Sequence, residues 1–353
     1  MKSKKKYLFS IIFFVVLLLL TFYLLFSNHD IDDVIKNLKN ISLKYIFIGV
    51  GLILVYLGTE SLYIKHILKS LKCKISLLQG FIYSCIEFYF SAITPSSTGG
   101  QPAQMYYMAK DGIPFTKSSV TLLLNTITFK LVLLLLGFFA IIFYPNLIFE
   151  NSILFTVIFI FGIVVNLIVI VLCLMLMYSK KWIKSIVMFC INLGYKLKII
   201  KDKDAKILSF NTALDEYQEG AKYIKEHISV TIYVCLITLI QRLAMFSIAY
   251  IVYKTFGLTG YSYIELVVMQ LSVAIAIDSL PLPGGMGASE AMLLLLYKKY
   301  FGADIAMSAM LVTRGLSYYL CLIISGIVVL ANHISVFFIS KKRKGGNLND
   351  RLL

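Results

Sequence analysis

The sequence predicts an all-α, polytopic transmembrane helical protein with two broken, re-entrant segments in an inverted repeat. Three observations lead there. Of 353 residues, 59% are hydrophobic and only 15% charged, a make-up that leaves too little polar surface for a soluble fold of this size. Apolar runs of about twenty residues recur, the length a bilayer requires. Two Gly-rich breaks, about 185 residues apart, interrupt otherwise apolar segments.

Taken in order, spans are expected at 7–26, 46–64, 118–144, 152–178, 229–253 and 303–335. Shorter apolar stretches at 75–92 and 263–280 end in the breaks and are followed by segments 101–112 and 287–300. The run from Tyr7 to Phe26 is long for a signal core and lacks a small-residue cleavage site, so it reads as a retained first span. Lys2, Lys4, Lys5 and Lys6 place the N-terminus in the cytoplasm, and the loop with Asp30, Asp32 and Asp33 outside. Lys65, Lys69, Lys72 and Lys74 return inside, as do Lys110 and Lys117, whereas the loop Pro145–Asn151 has no Lys or Arg. Segment 75–112 then starts and ends inside, and segment 262–300 starts and ends outside. Lys298 and Lys299 run against that scheme.

The whole chain reads as one integral membrane domain, 1–353. Its first half is about 1–178, a basic cytoplasmic linker covers about 179–228, and the second half is about 229–340. Lys341, Lys342, Arg343 and Lys344 begin a short basic tail. In the linker, Trp182, Ile183, Ile186 and Val187 give Lys180, Lys181 and Lys184 an apolar side. An amphipathic helix on the membrane surface and a solvated connector both remain open.

The breaks mark the candidate site. The first runs from Thr94 and Pro95 through Gly99, Gly100, Gln101 and Pro102 to Ala103 and Gln104. The second runs from Pro281 through Pro283, Gly284, Gly285, Met286 and Gly287 to Glu290. Pro and Gly interrupt helices, and unwound backbone at membrane depth persists only inside protein or along a polar cavity. Paired broken helices in two halves point to a transporter-like binding site.

Charged residues fall within or beside the apolar segments: Glu60, Glu87, Lys130, Arg242, Glu265, Asp278, Glu290 and Arg314. A central charge costs roughly 2.5–3.5 kcal/mol on insertion scales, so these side chains are expected to face inward and pair with one another, ligand or water. Asp278 and Glu290 bracket the second break; Glu87, Gln101 and Gln104 flank the first. Lys130, Arg242 and Arg314 could receive a phosphate, the arginines through a bidentate fork. Glu60, Lys130 and Glu265 read as closer to the interfaces and carry less weight. A cavity with both signs suits a zwitterionic or amino-bearing phospholipid head group. The competing reading is an internal ion-pair network that only fixes packing.

Other classes are disfavoured. The net charge of +16 comes from Lys clustered beside apolar runs, the pattern of loops facing anionic lipid rather than of nucleic-acid binding. Cys73, Cys85, Cys173, Cys190, Cys235 and Cys321 form no CxxC pair, and the four His lack ligand spacing, so neither metal nor cofactor is expected. GxSxG, Walker and HExxH motifs do not occur, so no catalytic residue is assigned.

At three stretches the chain resembles the flippase-like membrane domain of lysylphosphatidylglycerol synthetases, the multiple peptide resistance factor family. They are Phe90–Gln104, Pro283–Glu290 and Thr313–Tyr319. The resemblance implies a bacterial-type cell membrane protein, multi-pass with both termini cytoplasmic. It implies handling of anionic or aminoacylated phosphatidylglycerol, lipid transport between leaflets and a part in antimicrobial peptide resistance. In that family a soluble C-terminal domain transfers the aminoacyl group from tRNA. This sequence runs to Leu353 just after its last span, and the expectation is a chain without that domain. Phosphatidylglycerol lysyltransferase activity, alone or with a separate soluble partner, stays open as the alternative, as does a scaffold for lipid enzymes. A homo-oligomer is also open.

Overall fold

The computed structural model describes residues 42–94, 97–150, 152–196, 203–278 and 287–333. The expected span 7–26, the basic tail, Pro95, and Pro283, Gly284 and Gly285 of the second break lie outside the described residues. Within them every regular element is helical.

The helices are α1 (Leu43–Ser70), α2 (Leu77–Ala92), α3 (Gly100–Lys110), α4 (Phe115–Phe143), α5 (Pro145–Phe149), α6 (Ile153–Tyr178), α7 (Lys180–Lys196), α8 (Lys203–Glu226), α9 (Ile228–Thr255), α10 (Tyr263–Asp278), α11 (Ala288–Phe301) and α12 (Ala303–Arg314). A π-helical turn, Gly315–Leu320, continues α12, and the run Ala303–His333 is helical throughout. Among the described residues, five helices are long and apolar enough to cross a membrane: α1, α4, α6, α9 and Ala303–His333. This is an all-α polytopic membrane protein. At 1.5 Å per residue α2 and α10 reach about 24 Å, short of a roughly 30 Å hydrocarbon core.

Local sequence sets several starts. Ser76 and Gln79 form a capping box at α2: Gln79 N donates to Ser76 Oγ at 3.1 Å, and Ser76 N to Gln79 Oε1 at 2.8 Å. Ser262 and Glu265 repeat it at α10, at 3.3 and 2.7 Å. Glu265 is therefore a helix cap, consistent with its low weight as a site residue.

Two sets of helices share one order. In each, a 28-residue helix (α1, α9) precedes a 16-residue helix (α2, α10), a break, a short helix (α3, α11) and a long one (α4, Ala303–His333). The equivalent helices α1 and α9 pack against each other antiparallel. Ile53 and Leu57 of α1 cluster with Ile248 and Val252 of α9, whereas Ile64 and Leu68 cluster with Val230 and Val234. The His66 and Tyr233 rings meet at 4.1 Å, tilted by 31°, and mid-helix Gln241 Nε2 donates to Tyr56 O at 3.2 Å.

Contacts between the sets are reciprocal. Asp278, the last residue of α10, pairs with Lys130 of α4. Ala92, the last residue of α2, accepts a hydrogen bond through its carbonyl from Tyr318 at 3.1 Å. Tyr318 occupies the place along Ala303–His333 that Lys130 occupies along α4. The C-terminal ends of α2 and α10 thus each meet the middle of the other set's long helix.

The stretch read from sequence as a linker forms α7 and α8. Helix α8 lies across the ends of α4 and α6: Tyr217 OH donates to Leu176 O at 3.0 Å, Thr116 Oγ1 to Glu216 Oε2 at 3.3 Å, and Lys180 pairs with Asp215 at 2.8 Å. Helix α7 leaves Trp182, Phe189 and Tyr195 exposed beside its lysines, as an amphipathic surface helix would. Helix α6 exposes Leu154, Val157, Phe161, Val164 and Ile168, the side expected to meet lipid.

Close packing depends on Gly162 of α6. A Cβ there would stand 2.1 Å from the Ile275 carbonyl oxygen, so α10 crosses α6 at backbone contact. Gly162→Ala is expected to destabilise the protein by about 1–3 kcal/mol, measured as a lower thermal unfolding midpoint in detergent. Gly51→Ala, where a Cβ meets nothing within 4 Å, should leave the midpoint unchanged or raise it.

Candidate functional site

Intramembrane charges converge on one cavity. Its volume is about 530 Å³, and Glu60, Glu87, Lys130, Arg242, Asp278 and Arg314 all line it. Glu290 stands behind Arg314 as its ion-pair partner. Helices of both sets meet here: α1, α2, α3 and α4 from the first, α9, α10, α11, α12 and the π-helical turn from the second. Glu60 and Lys130, read from sequence as closer to the interfaces, belong at the centre. For Glu60, position within the span did not reveal this, because α1 runs on to Ser70, beyond the apolar run 46–64 that located it.

The first break is held by short contacts. Thr94 Oγ1 donates to Phe90 O at 2.6 Å and accepts from Gly99 N at 2.9 Å. At Gly100 a Cβ would fall 2.1 Å from Ser91 Oγ and 2.9 Å from Glu87 Oε1. Only glycine lets the start of α3 sit against α2 so closely. Glu87 thereby lies beside the N-terminal end of α3, where the helix dipole favours an anion. Ser91 Oγ donates to Glu87 Oε1 at 2.9 Å, Gln101 Nε2 to Thr126 Oγ1 at 2.6 Å, and Gln104 Nε2 to Glu60 Oε1 at 3.4 Å.

The second break is anchored by ion pairs at both ends. Asp278 sits at a helix C-terminus, where the dipole disfavours an acid, and Lys130 compensates. Gly287, with φ +81°, donates its N–H to Glu290 Oε2 at 2.7 Å, and the other carboxylate oxygen accepts from Arg314 Nε at 2.7 Å. The Arg314 and Glu290 side chains are 11% and 2% exposed. Of the two acids that bracket the second break, Glu290 meets Arg314 and Asp278 meets Lys130.

Arg242 differs from the other two cations. Its guanidinium lies 4.2 Å from the Phe129 ring centroid and 5.3 Å from that of Tyr56, a cation–π cradle. It donates to Gln241 Oε1 at 3.0 Å. Arg242 Nε and Arg314 Nη2 are buried without a hydrogen-bond partner among the described residues, as is Gln270 Oε1. Tyr318 caps the site over Arg314, 4.4 Å from its ring. Sequence reasoning missed Tyr56, Phe129, Gln270 and Thr126 in the lining. Phe129 beside Lys130 was the available signal for one of them. A π-helical turn is frequent at functional sites, and the motif Thr313-Arg314-Gly315 opens this one.

The chain matches the Lysylphosphatidylglycerol synthase TM region over residues 7–325. It belongs to that family. As a member it is a membrane protein of lipid metabolism. No curated protein and no solved structure matches it.

Removing one partner of a buried ion pair strands the other charge, at about 3–5 kcal/mol. Arg314→Ala is therefore expected to lower stability by that order, and Glu290→Gln added to it should recover most of the loss. Thermal unfolding of the single and double variants measures both. An Arg314→Ala protein as stable as the parent would show that Glu290 is not held by this pair.

Proposed function

We propose that this chain binds phospholipid head groups in the central cavity and moves them between leaflets, with phosphatidylglycerol or its aminoacylated derivative as substrate. One observation carries the reading: Arg242 and Arg314, each with a guanidinium nitrogen that has no partner among the described residues, line a cavity of both charge signs between helices of both sets. Phosphate needs convergent N–H donors, and Arg242 and Arg314 supply them in fork geometry. The acids Glu60, Glu87 and Asp278 suit an amino group on the same ligand. Acyl chains would remain in the bilayer.

Antiparallel α1 and α9 and the reciprocal contacts support reading the two sets as an inverted repeat. Such repeats let one site face either side by rocking of one set against the other. On this reading both termini are cytoplasmic, the protein resides in a bacterial-type cell membrane, and 1–353 acts as one domain. In a background without native cysteines, Cys at Lys110 and at Asn146 should label from opposite faces. Labelling from one face would remove the inverted arrangement.

Vesicles containing only this protein and a head-group-labelled phosphatidylglycerol test the activity. A charge-assisted hydrogen bond contributes about 1.5–3 kcal/mol, so Arg242→Ala should slow translocation roughly tenfold or more. Arg242→Lys should restore part of it, because an ammonium keeps the charge but not the fork. Translocation at the parental rate by Arg242→Ala would take this residue out of the site. Lysyl transfer from lysyl-tRNA to phosphatidylglycerol by the purified chain would favour the enzyme reading instead.

A further inference from the structure

The acids and bases around the cavity do not balance. Asp278 is bonded to Lys130 and Glu290 to Arg314. Glu60 and Glu87 remain, with Arg242 as the cation acting on both across the cavity. Among the described residues, these two carboxylates share one cation that bonds to neither.

Other groups facing the pair are few. They are Tyr56 and Tyr63 on α1, Ser84, Cys85 and Ser91 on α2, Gln104 on α3, and Cys321 after the π-helical turn. Gln104 is fully buried. Its Nε2 donates to Glu60 Oε1 and to Tyr83 O, and its Oε1 has no partner among the described residues.

We propose that Glu60 and Glu87 are a proton-binding pair coupled to Arg242, so that phosphate arriving at Arg242 draws a proton onto the pair and phosphate leaving releases it. The inference rests on the phospholipid reading above. Its physics is electrostatic. With Arg242 unoccupied, its charge offsets one of the two acids. A phosphate that neutralises the guanidinium leaves two carboxylates lining one low-dielectric cavity with no free cation among the described residues, and burial together with their mutual repulsion then favours protonating one of them. The proton comes from water and joins one carboxylate oxygen; no other bond changes. Lipid anion and proton then cross together, which gives transport a driving force without a nucleotide.

Titration of the purified full chain with short-chain phosphatidylglycerol, in weakly buffered detergent, tests this. Binding should take protons from the medium, seen as alkalinisation with an indicator dye. Across the pH range of uptake, affinity should fall about tenfold per unit of rising pH, since the bound state holds the extra proton. Glu60→Gln and Glu87→Gln should each remove the uptake and flatten the pH dependence. Should Glu60→Gln fail to fold, Glu87→Gln and the parent protein decide. Binding with pH-independent affinity and no uptake overturns the coupling but leaves the phospholipid reading standing. Absence of binding at every pH overturns both. Equal uptake with short-chain diacylglycerol, which has no phosphate, overturns the role of Arg242.

Discussion

A charge in hydrocarbon without a partner is the constraint on which the rest depends. At roughly 2.5–3.5 kcal/mol each, the seven charges gathered here, dispersed toward lipid, would exceed the net stability of a typical domain, about 5–15 kcal/mol. The fold answers by directing them to one place. Lys130, Arg242 and Arg314 come from three different long helices, and Glu60, Glu87, Asp278 and Glu290 from four others or their ends. Two ion pairs, Lys130–Asp278 and Arg314–Glu290, fasten both flanks of the second break to long helices.

The frame is repeated, but the chemistry is not. At matching positions one set offers the Lys130–Asp278 ion pair and the other a neutral hydrogen bond from Tyr318 to the Ala92 carbonyl. A neutral contact of this kind contributes about 0.5–1.5 kcal/mol and responds little to a charged ligand. An ion pair lining the cavity competes with a ligand phosphate for the same cation. The flanks of the two breaks are therefore held unequally: Asp278 by an ion pair, the first break by Thr94 and by glycine packing.

Aromatic side chains complete the site. Phe129 and Tyr56 flank the Arg242 guanidinium without consuming its N–H groups, and Tyr318 lies beside Arg314, whose Nε is already bonded to Glu290. A ring face stabilises a cation yet leaves its donors available, an arrangement suited to binding an anion reversibly. A carboxylate in the same position would neutralise the arginine outright. This separates Arg242 from Lys130, whose charge is already met by Asp278.

Composition, apolar run length and Lys placement determined by themselves that the chain is an all-α membrane protein with two interrupted segments, because the bilayer permits few alternatives to a helix and marks its faces with charge. The motifs around Thr94–Gln104 and Thr313–Tyr319 also carried the family. Sequence further required that intramembrane charges be satisfied, though not by whom. Only the tertiary structure decided that Glu60 and Lys130 are central, that Glu265 caps α10, and that Asp278 meets Lys130 while Arg314 meets Glu290. Partner choice depends on how α1 and α9 cross and on where α2 and α10 end against the opposite long helix. Apart from Arg314–Glu290, those contacts join residues more than a hundred positions apart, and neither hydropathy nor local spacing records them.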